Sequence, residues 1–127
     1  MDIWSVGCIT CELFMLKPIF PGTSETDQLF KIMGVLGTPT QSQWPDFHLL
    51  LQKRNIRVNP QKPQNLQELM PNASSEAIDF IQSCLQYDPV SRPSAAKLLQ
   101  HRFIQGEKIS PISSIGSYQS CNSRVVE

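Results

Sequence analysis

The chain has 127 residues, with 11 Lys and Arg balanced by 11 Asp and Glu, and a pI of about 6.7. That length holds one domain and is too short for two, and the even charge gives no electrostatic footprint for nucleic acid or an anionic membrane. No apolar run approaches the ~20 residues of a spanning helix, and Met1-Asp2 does not open a secretory leader, so a soluble intracellular protein is expected.

The first element expected is a helix over residues 2 to 16. Its apolar residues cover every face, which is the pattern of a buried helix. Asp2 sits at its start, where a carboxylate accepts free N–H groups. Pro18 to Gly22 is expected to end it. Ser24 opens a second helix, with Asp27 in the place of the capping-box acid, and an apolar stripe of Leu29, Phe30, Ile32, Met33 and Leu36. Gly37 is its expected end residue.

Residues 38 to 72 are rich in Pro, Gln and Asn, with short helices expected around 47 to 53 and 65 to 69. A connection this long is uncommon in a compact domain and is often functional. Lys53, Arg54, Arg57 and Lys62 form a loose basic cluster there, read as solvated surface. Ser74 or Ser75 caps a third long helix to about residue 86, with Ala77, Ile78, Ile81, Cys84 and Leu85 in register. Ser94 caps a last helix to about His101. Beyond residue 105 the chain is Ser-rich without periodicity and is expected to be disordered. No strand pattern or internal repeat stands out.

The short motifs weaken on inspection. Cys8-Ile-Thr-Cys11 is a C-x-x-C with no second pair at zinc spacing and no strand–helix redox context, so buried thiols are the plainer reading. Cys84 and Cys121 are also expected as thiols. Asp46-Phe47-His48 and His101-Arg102-Phe103 mimic the kinase DFG and HRD triplets, but in the wrong order and without preceding strands. Phe103 stands where an acid would have to hold magnesium or take a proton. Asn72-Ala-Ser74 is a sequon without a leader, and Thr38-Pro39 and Ser110-Pro111 are proline-directed sites, the second the better candidate. Neither His48 nor His101 has a partner evident in the sequence. Glycine-rich dinucleotide loops, Walker A, G-x-S-x-G and H-E-x-x-H are all absent, so spacing alone gives no active site.

Taken in order, however, the landmarks resemble a known family. They are Asp2-Ile-Trp4-Ser-Val-Gly7-Cys8, Phe20-Pro21-Gly22, Ser24 to Ile32 (SETDQLFKI), Leu36-Gly37-Thr38-Pro39, Trp44-Pro45, Leu69-Met-Pro71-Asn72-Ala73, Tyr87-Asp88-Pro89-x-x-Arg92-Pro93 and Leu99-x-His101-x-Phe103. Residues 1 to 104 resemble the distal part of the large lobe of a eukaryotic protein kinase. Within the superfamily they resemble the CMGC group, and the MAK/RCK-like branch in particular. The fold implied is mainly α: helices F to I plus the CMGC insert, a fragment of an α+β kinase fold, followed by a Ser-rich tail over 105 to 127.

The resemblance also implies roles. The aspartate matching Asp2 hydrogen-bonds the catalytic loop, and the arginine matching Arg92 pairs with the glutamate of the APE motif. Trp4 and Gly7 would pack helix F. Helix G and the insert would dock protein substrates or regulators, through positions around Gln28, Phe30, Lys31 and Trp44. The glycine-rich loop, β3 lysine, helix C, HRD, DFG and APE are not in this sequence. No catalytic, cofactor-binding or metal-binding residue is therefore expected in this chain, although the full-length family uses ATP and magnesium. The chain is expected to be a clipped kinase piece, inactive alone, with Met1 an internal methionine. A non-catalytic binding module is the alternative. The isolated chain is expected to be poorly soluble or molten, because its first helix lacks partner surface. Cytoplasm or nucleus is the expected location, with a cilium implied by the branch alone.

Overall fold

A computed structural model describes residues 2–106. Seven helices follow one another: α1 (Ile3–Met15), α2 (Glu25–Leu36), α3 (Phe47–Lys53), α4 (Leu66–Leu69), α5 (Ser75–Cys84), α6 (Ala95–Leu99) and α7 (Arg102–Gln105). The described residues contain no strand.

Local chemistry sets the helix starts. Hydroxyls of Ser24, Ser74 and Ser94 each accept the N–H three residues on, satisfying donors that the helix itself leaves free. Of the two serines expected to open α5, Ser74 is the cap. The capping box at α2 is offset: Asp27 Oδ2 accepts from Thr23 N–H at 2.9 Å, one residue before the Ser24 cap.

The helix ends differ from expectation at α1. Pro18 does not stop it. Leu16 does, by taking a left-handed conformation (φ +56°) and donating its N–H to Glu12 at 2.8 Å. A leucine there is strained, since its Cβ crowds the following carbonyl. Gly37 ends α2 as expected, at φ +81°. A side chain there would meet Pro63 N at 2.8 Å, so glycine is required twice over. The third long helix stops at Cys84, short of 86. The last expected helix, α6, ends at Leu99, short of His101, and a further short helix not expected from the sequence, α7, follows a turn at His101.

The core forms where α1 lies along α5. Gly7 marks the close approach, and a Cβ there would fall 2.8 Å from both Cys84 Cβ and Leu85 Cδ2. Cys11, Ala77 and Ile81 are fully buried at this seam, with Phe20, Leu66, Met70 and Leu85 around them. Phe103 of α7 packs on Phe14 and Phe80, closing the far end. The segment from 38 to 65 folds back on α2, where Thr38 N–H donates to Gln61 O, Gln61 N–H donates to the Thr38 hydroxyl and Gln64 N–H donates to Val35 O. The Ser-rich tail and Ser110-Pro111 lie, from residue 107 on, outside the described residues. Gln105, assigned by sequence to that tail, closes α7 instead.

Candidate functional site

Residues implied by the resemblance converge at one corner. Asp2 caps α1 with its own side chain, accepting Trp4 N–H at 3.0 Å, Ser5 N–H at 3.4 Å and the Ser5 hydroxyl at 3.0 Å. The Ser5 hydroxyl above all holds this carboxyl below its ordinary value; desolvation opposes it, and the backbone N–H groups of Ser5 and Trp4 and nearby Arg92 add to the lowering. Its bonds run within its own first turn; no second loop reaches it among the described residues.

Trp4 stacks on Phe20 with ring centroids 5.8 Å apart. Arg92 lies over the Trp4 ring at 5.1 Å. Its Nε donates to Gln86 O at 2.8 Å and one terminal nitrogen to Tyr87 O at 3.3 Å. The guanidinium thus ties carbonyls past the end of α5 to the start of α1. Trp4, Trp44, Tyr87, Pro89 and Arg92 border an open cavity of about 400 Å³ at this corner. A planar cation beside aromatic rings can hold a carboxylate with the donors it has left.

The residues expected to dock partners are split. Lys31 is exposed, but Gln28 is half-buried and its amide donates to Phe20 O at 3.0 Å, bracing the turn before α2. Phe30 is half-buried as well. Trp44 belongs to an aromatic group, 5.1 Å from Phe47 and 6.2 Å from Tyr87. It also lines a second, mostly apolar cavity of about 270 Å³ with Leu29, Phe47, Leu50 and Ile56. Arg54 and Glu25 bridge its rim at 3.2 Å, both well exposed, so the pair contributes little to stability.

Sequence reasoning passed over three features. Tyr87 donates to Gly37 O at 2.6 Å, and burial pushes its hydroxyl up to about 12. Leu50 and Leu51, three and four residues after Phe47, form the wall of the second cavity, a helical spacing legible in advance. His101 does have a partner: Asp79, at 2.9 Å, 22 residues earlier on α5. No local pattern could have disclosed that pairing.

The thiols fit the plainer reading of the C-x-x-C. Desolvation first, then nearby Glu12, raises Cys8 to about 11. Desolvation and the neighbouring Cys8 raise Cys11 to about 12, and burial raises Cys84 to about 11. All three are free thiols in their unreactive form. Among the described residues no group of three or more His, Cys, Asp or Glu side chains is arranged to hold a metal ion. No described helix is long and apolar enough to cross a membrane.

The all-helical array, with an arginine-braced corner and a long insert between α2 and α5, is that of the distal large lobe of a protein kinase. The protein kinase domain model matches residues 1–104, and the chain belongs to that family. It is 46% identical to serine/threonine-protein kinase MAK of Homo sapiens, over 98% of this chain and 20% of that protein. It is 47% identical to serine/threonine-protein kinase ICK of Mus musculus, over 83% of this chain and 17% of that protein. Cyclin-dependent kinase F-3 of Oryza sativa subsp. japonica is 50% identical over 81% of this chain and 24% of its own length. These relatives bear out the CMGC and MAK-like assignment. The chain spans about a fifth of the length of the curated relatives it matches.

Proposed function

We propose that this chain contributes the distal large lobe to a serine/threonine protein kinase of the MAK-like branch, and has no phosphoryl-transfer activity alone. The observation that carries this is the outer face of α1. Ile9 and Leu13 are 58% and 73% exposed in one stripe of the helix that organises the core, and Leu16, just past its end, is 89% exposed. A helix this apolar calls for a second surface, and the upstream lobe of the kinase is the natural one. ATP and magnesium then belong to the assembled lobe rather than to these residues. Asp2, at the start of the same stripe, would turn part of its carboxylate to the catalytic loop. Arg92 would take the APE carboxylate beside Trp4. An intracellular location follows from the same reading.

Co-expression with the upstream kinase lobe of human MAK tests this. The two pieces should co-purify, and Ile9→Asp with Leu13→Asp should abolish the association. Co-purification that survives both changes would contradict the proposal.

A second reading has its own observation. The apolar cavity between α2 and α3 supports docking of a protein substrate or regulator at the helix pair, with Trp44 at its edge. Trp44→Ala should weaken such docking while Lys31→Ala leaves α2 folded. Nucleic acid and membrane are not expected partners.

A further inference from the structure

His101 uses both ring nitrogens. Nε2 lies 2.9 Å from Asp79 Oδ2 on α5, and Nδ1 accepts the Phe103 N–H at 3.1 Å, capping α7. A backbone N–H can only donate, so Nδ1 carries no proton and Nε2 carries the single one. The ring is largely buried, its side chain 17% exposed, with Phe80 edge-on at 5.4 Å. Phe103, two residues on, is the side chain that joins α7 to Phe14 of α1 and Phe80 of α5.

We propose that His101 is a pH-sensitive latch, whose neutral Nε2–H form caps α7 and whose protonation at Nδ1 removes that cap. Protonation places a donor against a donor. The Phe103 N–H loses its acceptor, while the His101 carbonyl still accepts from Ile104 and Gln105 and the Phe103 ring stays on Phe14 and Phe80. The pair with Asp79 meanwhile gains charge, so the ring stays on α5 while the first turn of α7 loses its cap. The charged groups around the ring are Asp79 and Glu76 of α5, Lys97 of α6 and Arg102 of α7. Asp79 alone bonds the imidazole; none of the others substitutes for the lost acceptor. The cap is therefore complete while the ring is neutral and absent once Nδ1 carries a proton.

The sequence holds two histidines, and exposed His48 is an internal control. Imidazole ¹⁵N spectra of the full chain should show His101 as the pure Nε2–H tautomer and His48 as the usual mixture. Between about pH 8 and about pH 5 the Phe103 amide should lose protection by roughly fivefold, the size of a lost cap. Protection along α5 should not change. His101→Asn keeps a capping acceptor that does not titrate, and should make Phe103 protection independent of pH. A His101 spectrum like that of His48, or Phe103 protection indifferent to acid in the wild-type chain, would overturn the latch.

Discussion

At Gly7 the absence of a side chain lets α1 approach α5. Gly7→Ala puts a methyl 2.8 Å from Cys84 Cβ and from Leu85, and should cost about 1–3 kcal/mol of stability, read from denaturant midpoints. Leu16 is the opposite case, a large side chain held at φ +56° and exposed. Leu16→Gly should raise stability by about 1 kcal/mol in the same measurement. Tyr87→Phe leaves the Gly37 carbonyl without its donor and should cost about 1 kcal/mol. Acid acts on exposed carboxylates. Backbone N–H of Val90 and the Ser91 hydroxyl lower Asp88, as the Ser5 hydroxyl lowers Asp2. Depressed groups stabilise the fold above their unfolded range and lose that contribution as pH falls through their folded values. Amides of Trp4 and Val90 should therefore lose protection as acid protonates Asp2 and Asp88, and Asp2→Asn should remove the pH dependence at Trp4.

At the scale of elements, the helices were legible because capping and periodicity are local. Ser24, Ser74 and Ser94 are each followed by apolar positions at helical spacing, and all three cap as that pattern implies. The short α3 and α4 in the long insert also lie where expected. What the sequence did not disclose depends on contacts between distant segments. The apolarity of α1 reads as burial on every side, yet α5 covers one side only and leaves Ile9, Leu13 and Leu16 outside. Arg92 and Asp2 were identified through resemblance, which did not imply their present bonds, to Gln86 and Tyr87 carbonyls and within the Ser5 turn; across the α1 corner, Arg92 meets Trp4. Gln28 looked like a surface residue until its amide met Phe20 O. The exposed stripe carries its own prediction. The isolated chain should be poorly soluble and bind a hydrophobic dye. Leu13→Lys with Leu16→Lys should cut dye binding severalfold without lowering the denaturant midpoint. A sharp cooperative melt of the wild-type chain with no dye binding would contradict it.

For the whole molecule, two faces of one core divide the work. The inner side of α1 and α5 form a seam that holds this part of the lobe together. The outer side of α1, with Asp2 at its head, is the surface on which the reading as a kinase lobe depends. Phosphoryl transfer needs an acceptor hydroxyl, ATP phosphates and magnesium held together. The most direct measurement is ATP-dependent phosphorylation of a Ser/Thr protein substrate by this chain, by the upstream lobe of human MAK, and by the two co-expressed. The account predicts turnover by the pair alone, abolished by Ile9→Asp with Leu13→Asp. Turnover by this chain without its partner, or none from a stably assembled pair, would contradict it.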